Sequence, residues 1–185
     1  SGKSTLGRMI MRLTEPDSGA IRLGNDDLRQ LRGEALRQAR RGLQIIFQDP
    51  FSSLDPRQKV GDAVARGPMA YGTARTEAMA QARQLLDRVG LTASAADRYP
   101  HEFSGGQRQR ICIARALALR PKVLIADEAV SALDVSVQAQ VLALLAELRR
   151  EMRLAMIFIT HDLRIAAEIA DRVIVLQNGR IVEQG

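Results

Sequence analysis

The sequence begins with Ser1-Gly2-Lys3-Ser4-Thr5, the second half of the pattern G-x-x-x-x-G-K-[ST], whose backbone N–H groups surround phosphate oxygens. Apolar residues then recur at helical spacing, as the helix behind such a loop requires. In this pattern Lys3 would reach the β- and γ-phosphates and Ser4 would be a Mg²⁺ ligand. The triplet Gly-Lys-Ser fits an ordinary surface lysine equally well, so the interpretation depends on motifs further along the chain.

Apolar segments alternate with helical patterns in the second half of the chain, which predicts an α/β fold with a largely parallel sheet. In the first half of the chain, the apolar segment 43–47 is predicted to be a buried strand, and a helix is predicted at about 27–41. Residues 60–119 carry helical patterns only, which indicates an inserted helical part. The predicted strands are 123–126, 156–159 and 172–176, separated by helices 136–152 and 162–170, and Asn178-Gly179 predicts a final hairpin.

Composition argues against nucleic acid as a partner. The net charge is +6, but aromatic residues make up 3% of the chain and tryptophan is absent, so base-stacking surfaces are not expected. The arginines are spread over helices rather than grouped in long runs. Cys112 is the single cysteine, which excludes an internal disulfide and suggests a small core residue. No apolar segment reaches the ~18 residues of a transmembrane helix.

Two acids follow the apolar strand 123–126, namely Asp127 and Glu128. Carboxylates are costly next to a buried strand, and the carboxyl ends of strands in α/β sheets face the crevice that binds ligands. Asp127 would therefore hold Mg²⁺, directly or through water, and Glu128 would polarise an attacking water as general base. The alternative is a strand that simply ends in solvent.

The segment Ser104-Gly105-Gly106-Gln107 fits a capping box at the start of a helix. Two glycines in the first turn leave backbone N–H groups unobstructed, so the helix N-terminus could bind an anion. A plain capped helix after a loop is the simpler alternative.

Taken in order, these motifs resemble those of the nucleotide-binding subunits of ATP-binding cassette (ABC) transporters. The resemblance covers residues 1–185. SGKST resembles the end of the Walker A loop, and Gln48 after LQIIF resembles the Q-loop glutamine. FSGGQRQR resembles the ABC signature, and VLIADE resembles Walker B. Ser131-Ala132-Leu133-Asp134 resembles the D-loop, and Ile159-Thr160-His161-Asp162 resembles the switch-histidine segment.

This resemblance implies a P-loop NTPase with a RecA-like core in residues 1–48 and 120–185 and a helical signature subdomain in residues 49–119. It also implies ATP and Mg²⁺ as ligands. The resemblance also assigns roles by position. The nucleotide would be bound by Gly2, Lys3, Ser4 and Thr5, and the metal would be held by Ser4, Gln48 and Asp127. The residues expected to act in catalysis are Glu128, His161 and Gln48, and those expected to face the ATP and the surface of an opposite subunit are Ser104, Gly105, Gly106, Gln107 and Asp134.

Two longer segments, FQDPFSSLDPR and YPHEFSGGQRQR, are similar to the oligopeptide/dipeptide/nickel importer group. The resemblance implies an ATP-hydrolysing importer subunit for peptides or nickel, peripheral on the cytoplasmic face of the inner membrane. Its partners would be a second ATPase subunit, identical or related, permease subunits and, indirectly, a solute-binding protein. Another ABC transporter class or a non-transport ABC ATPase is the alternative, although the segment between Lys3 and Ser104 is too short for the long coiled coil of many non-transport members.

The chain departs from the family pattern in three places. The front of Walker A and the strand before it are absent, and the chain ends at Gly185 where family members continue, so the domain is expected to be incomplete at both ends. For the isolated chain, inactivity is therefore an alternative. Ala129-Val130 stand where the family usually has Pro-Thr; this change removes no ligand and is expected to have a modest effect.

Overall fold

Helices and strands alternate in the computed structural model, which describes residues 2–185; Ser1 of the N-terminal motif lies outside the described residues. The helices are α1 (Lys3–Ile10), α2 (Gly33–Arg41), α3 (Pro50–Ser53), α4 (Val60–Ala70), α5 (Arg75–Arg88), α6 (Gly105–Leu117), α7 (Val135–Met152) and α8 (Leu163–Ile169), with 3₁₀ turns at Ala93–Asp97 and Pro100–Glu102. The strands are β1 (Arg22–Leu23), β2 (Asp26–Asp27), β3 (Leu43–Ile46), β4 (Val123–Asp127), β5 (Ala155–Ile159), β6 (Ile174–Gln177) and β7 (Arg180–Gln184).

The predicted α/β fold is confirmed by a parallel sheet of three strands in the order β3-β4-β5. β4 is central, with Val123 opposite Leu43 on one side and Ala155 on the other. Because side chains alternate along a strand, β4 contributes to two cores: Leu124 belongs to the larger one and Ile125 to the smaller one. Parallel register brings the carboxyl ends of all three strands to the same edge of the sheet.

Helix α1 lies directly on this sheet. A Cβ added at Gly7 would lie 3.0 Å from Cδ1 of Ile159 in β5 and 3.6 Å from Cγ2 of Ile125 in β4. The absence of a side chain at Gly7 therefore lets α1 approach closely, and this fixes the helix N-terminus beside the strand ends.

Residues 60–119 contain helices and no strand, as predicted from the sequence. Their interior belongs to the larger core, in which α6 supplies fully buried positions such as Ile111 and Ile113. α6 also contacts β3 and α7, so the helix that begins at Gly105 is packed against the sheet and its neighbouring helix.

The predicted helix at 27–41 is wrong in its first part, because α2 begins only at Gly33. The Asp27 carboxylate accepts hydrogen bonds from the backbone N–H groups of Ile21 (3.2 Å) and Arg29 (3.1 Å), which holds this segment in the β1–β2 hairpin. Gly33 then adopts φ +53°, a left-handed conformation that no continuous helix contains. Local side-chain hydrogen bonding therefore overrides the helical pattern.

The hairpin predicted at Asn178-Gly179 is present and joins β6 to β7. Asn178 has φ +49° and Gly179 φ +75°, which match the left-handed pair that tight hairpin turns require. The sequence here gave a specific backbone conformation as well as the type of element.

Cys112 is buried in α6, as expected, with 2% of its surface exposed. Burial raises the pKa of its thiol to about 11, so the thiolate that reacts with disulfide reagents is scarce at pH 8. We expect labelling of the native protein by an aromatic disulfide to be slower by about 10² or more than labelling in denaturant. Between pH 9 and about 11 the Cys112 thiol ionises in the unfolded chain but stays protonated in the native chain. This difference lowers the free energy of unfolding as the pH rises through that range. Equal labelling rates in the two states would contradict the burial.

Within residues 2–185, no helix combines the length and the apolar character needed to cross a membrane.

Candidate functional site

The N-terminal motif meets the acidic end of β4. Ser4, in the first turn of α1, donates a hydrogen bond from Oγ to Oδ1 of Asp127 at 2.9 Å. Asp127 is the last residue of β4 and is 5% exposed. Gly2 precedes the helix with φ +88°, and its carbonyl accepts from the Leu6 N–H at 2.9 Å. The turn formed by Lys3, Ser4 and Thr5 therefore lies at the end of a central strand, and two motifs more than 100 residues apart form one site.

The Ser4–Asp127 pair has the chemistry of a Mg²⁺ site of the nucleotide-dependent kind. Mg²⁺ favours oxygen ligands and takes one or two from the protein, with waters and substrate phosphates completing its shell. A hydroxyl oxygen and a carboxylate oxygen are adjacent here. The described residues hold no group of three or more acidic, histidine or cysteine side chains that could form an all-protein cage.

Glu128 is held between the ends of the other two strands. Its backbone N–H donates to the carbonyl of Ile159 in β5 at 2.9 Å, and its backbone adopts φ +48°. Gln48, two residues past β3, donates from Nε2 to Oε2 of Glu128 at 3.0 Å. Nδ1 of His161, two residues past β5, lies 3.4 Å from Oε1 of Glu128. The predicted residues Gln48 and His161 thus both contact the carboxylate of the predicted residue Glu128.

The accessibility of these three residues suits a reaction at the surface of the chain. The Glu128 side chain is 18% exposed and that of His161 is 65% exposed. Gln48 also lies 3.4 Å from the Ser131 hydroxyl, to which its Nε2 donates. Ser131 belongs to the D-loop segment, but its contact with Gln48 was not foreseen, since nothing in a sequence of small polar residues distinguishes it.

Asp162 fixes the turn that carries His161. Its carboxylate accepts from the Arg164 guanidinium and from the Arg164 backbone N–H at 2.9 Å, and these bonds lower the pKa of Asp162. Its own N–H donates to Oγ1 of Thr160 at 3.0 Å. The segment around the histidine is therefore ordered by its neighbours in sequence.

The capping box predicted at the start of α6 is present. The Ser104 Oγ accepts from the Gln107 N–H at 3.3 Å, and Oε1 of Gln107 accepts from the Ser104 N–H at 3.0 Å. The two intervening glycines differ in their surroundings. A Cβ at Gly106 would lie 2.4 Å from Cγ1 of Val137, whereas a Cβ at Gly105 would lie 3.7 Å from Cδ2 of Leu133.

Gly106 therefore allows α6 to approach α7, whereas a methyl group at Gly105 would only make an ordinary contact with Leu133. Leu133 and Val137 lie on either side of Asp134, so the D-loop and the signature segment are neighbours within the chain. The role of Val137 was missed in the sequence, although a Gly-Gly pair in a first helical turn is a signal of close packing. Asp134 is the exposed N-cap of α7, and Val135 beside it is 82% exposed.

A Gly-Lys-Ser turn set against the acidic end of a central parallel strand is the arrangement found in P-loop nucleotide-binding proteins, and the chain is of that class. Comparison with known proteins gives the family. The ABC transporter family profile matches residues 1–131, which is more than half of the chain. The chain therefore belongs to the ABC transporter family, whose ATP-binding domains bind nucleotide.

The curated relatives of the chain include import ATP-binding proteins. It is 53% identical over 185 residues to the glutathione import ATP-binding protein GsiA of Pectobacterium atrosepticum, and 52% identical over 186 residues to the protein of that name from Escherichia coli O157:H7. All of the chain is covered in both matches, but the chain spans only 30% of the length of each relative.

Solved structures of the family have the same fold. The dimeric structure of the ATP-binding cassette MJ0796 in a post-hydrolysis state with ADP and Pi matches with a TM-score of 0.86 at 29% identity, covering 100% of this chain and 80% of that one. The cbiO1 protein of Clostridium perfringens, part of the ABC transporter complex cbiONQ, matches with a TM-score of 0.88 at 32% identity, covering 100% of this chain and 72% of that one.

Proposed function

We propose that this chain is the ATP-hydrolysing domain of an ABC importer that carries small peptides. The observation that carries the proposal is the convergence of Ser4 with Asp127, and of Gln48 and His161 with Glu128, at the carboxyl ends of three parallel strands. The glutathione import proteins support a peptide substrate over nickel, because glutathione is a tripeptide.

In this proposal each residue has a separate task. Lys3 and the N–H groups at the start of α1 bind the β- and γ-phosphates of ATP. Ser4, Asp127 and Gln48 hold Mg²⁺, which neutralises phosphate charge when it is bound. Glu128 takes the proton of the attacking water, and His161 hydrogen-bonds the γ-phosphate. Glu128 is held ready by the two side chains that contact it.

The site is completed in a head-to-tail dimer. Ser104, Gly105, Gly106 and Gln107 of one subunit would contact the ATP bound by the other, and Asp134 would lie at the interface. Two features support the idea: the large exposure of Val135 beside Asp134 and the dimeric state of MJ0796. The partner subunit is a second ATPase domain, identical or related.

ATP binding and hydrolysis would then drive transport through permease subunits, with a solute-binding protein acting indirectly. The helical part, residues 49–119, would pass the movement of the dimer to the permease. In this proposal the protein is a peripheral subunit at the cytoplasmic face of the inner membrane.

Replacing Lys3 with alanine tests the proposal at its first step. We expect the affinity for ATP to fall about tenfold or more, because a charge-assisted hydrogen bond to phosphate is lost. Titration with a fluorescent ATP analogue measures the affinity, and phosphate release measures hydrolysis. Lys122→Ala, which changes an exposed lysine before β4, is the control and should bind as the unmodified protein does. Unchanged affinity in Lys3→Ala, or no hydrolysis by the unmodified full-length protein, would overturn the proposal.

A further inference from the structure

Two sequence segments that mark the importer group, residues 47–57 and 99–110, meet in the structure. The point of contact is the side chain of Arg108 in α6, whose guanidinium carbon lies 4.0 Å from the ring centroid of Phe51 in α3. Phe51 is 60% exposed, so it adds little to the core. A large ring kept at the surface under an arginine needs an explanation other than hydrophobic burial.

Phe51 is connected to Gln48 through a turn that is capped by a side chain. Asp49 lies between them and caps α3, because its Oδ1 accepts from the Phe51 N–H at 2.8 Å. The Ser53 hydroxyl donates back to the Asp49 carbonyl at 2.6 Å, and Pro50 is buried. A displacement of the chain at Gln48 would therefore be passed to Phe51 through this short capped helix.

Arg108 is equally well connected to the signature segment. It follows Gln107, which closes the capping box with Ser104. Its Nε donates to the carbonyl of Pro100 at 2.8 Å, and its NH2 group donates to that of His101 at 3.5 Å. The Arg108 guanidinium thus contacts both the turn at Pro100 and His101, which precedes the signature segment, and the ring of Phe51, which follows Gln48.

A second arginine on the same face of α6 strengthens the attachment. Arg115, seven residues after Arg108, donates to the carbonyl of Ser53 at the end of α3. The short helix is therefore fastened to α6 at both of its ends, once through Phe51 and once through Ser53.

We infer that Arg108 is a positioning residue that links Gln48, in the nucleotide site of its own subunit, to Ser104–Gly106, which face the nucleotide of the opposite subunit. The inference rests on the proposed function, since it requires two nucleotide sites in a dimer. Through Phe51, a change at one site shifts the signature segment that completes the other. In this inference Arg108 acts through its contacts with these two segments and does not itself bind the nucleotide.

A double-mutant cycle between Arg108 and Phe51 tests the link. Arg108→Gln and Phe51→Leu are each expected to lower kcat about five- to tenfold, with the ATP dissociation constant of the single subunit unchanged. The double variant is expected to be no slower than the slower single variant, because both changes break the same link. Phe51→Tyr keeps the ring face and is expected to retain nearly full kcat.

Arg83→Gln is the matched control, since it removes an exposed two-hydrogen-bond ion pair with Asp97 (2.9 Å for each bond) in the same helical part. It is expected to leave kcat unchanged. Three outcomes would overturn the inference. The losses in kcat could multiply in the double variant, Arg83→Gln could lose as much kcat as Arg108→Gln, or Phe51→Tyr could be as slow as Phe51→Leu. If Arg108→Gln unfolds, the comparison of Phe51→Leu with Phe51→Tyr still decides. Absence of ATPase activity in the unmodified protein defeats the proposed function, whereas normal activity in Arg108→Gln defeats only this inference.

Discussion

Replacing Glu128 with glutamine is expected to slow ATP hydrolysis by about 10² or more while leaving ATP binding nearly intact. Glutamine has the same shape as glutamate but cannot accept the proton of the attacking water. Its side-chain carbonyl can still accept from Nε2 of Gln48, which lies 3.0 Å from Glu128, so the local geometry is expected to survive. The loss should therefore be in kcat.

Single-turnover phosphate release and equilibrium ATP binding separate these effects. If, as proposed, hydrolysis separates the subunits, a stable ATP-bound dimer should accumulate in the variant and be detected by size-exclusion chromatography. Glu147→Gln removes an exposed carboxylate from α7 and serves as the control for loss of charge. Hydrolysis at the normal rate in Glu128→Gln would show that another group is the general base.

Replacing Gly106 with alanine is expected to destabilise the fold by about 1–3 kcal/mol, because the new methyl group overlaps the packed side chain of Val137. The Cβ would lie 2.4 Å from Cγ1 of that valine, closer than any relaxed contact. Gly105→Ala is the matched control, one residue earlier in the same helical turn. Its Cβ would lie at an ordinary 3.7 Å from Leu133, and alanine favours helix.

Urea denaturation of the two variants measures the difference in their free energies of unfolding. Because both changes from glycine to alanine raise helix propensity, this difference reports the cost of the overlap with Val137. A second change, Val137→Ala, should restore much of the stability of Gly106→Ala, because it removes the clashing atom. Equal stability of the two glycine variants would mean that α6 and α7 are not in close contact at this point. Gly105→Ala itself is expected to leave the free energy of unfolding nearly unchanged, because its methyl group would make only an ordinary contact with Leu133.

The sequence predicted those parts of the fold whose conformation is decided locally. The Asn178-Gly179 turn and the Ser104–Gln107 capping box depend on residues within a few positions of one another, and both are present. The prediction failed at the start of α2, where the Asp27 carboxylate competes for backbone N–H groups. A helical pattern of apolar residues carries no information about that competition.

The candidate site shows the same division. Lys3, Gln48, Glu128 and His161 could each be identified from a motif, but their contacts depend on the order of strands in the sheet. The Ser4–Asp127 hydrogen bond joins residues 123 positions apart, and it exists because α1 lies on β4 and β5. Val137 and Arg108 act through packing across helices, for which the sequence of one chain gives no direct signal.

The left-handed backbone at Glu128, φ +48°, has a consequence for engineering. A residue with a Cβ is less stable in this region by about 1–2 kcal/mol, whereas glycine and asparagine tolerate it. A library selected for melting temperature alone would therefore enrich substitutions at position 128, where the proposed chemistry needs a carboxylate as general base. Thermostable variants of this protein should be sought with an activity counter-screen, or with position 128 held fixed.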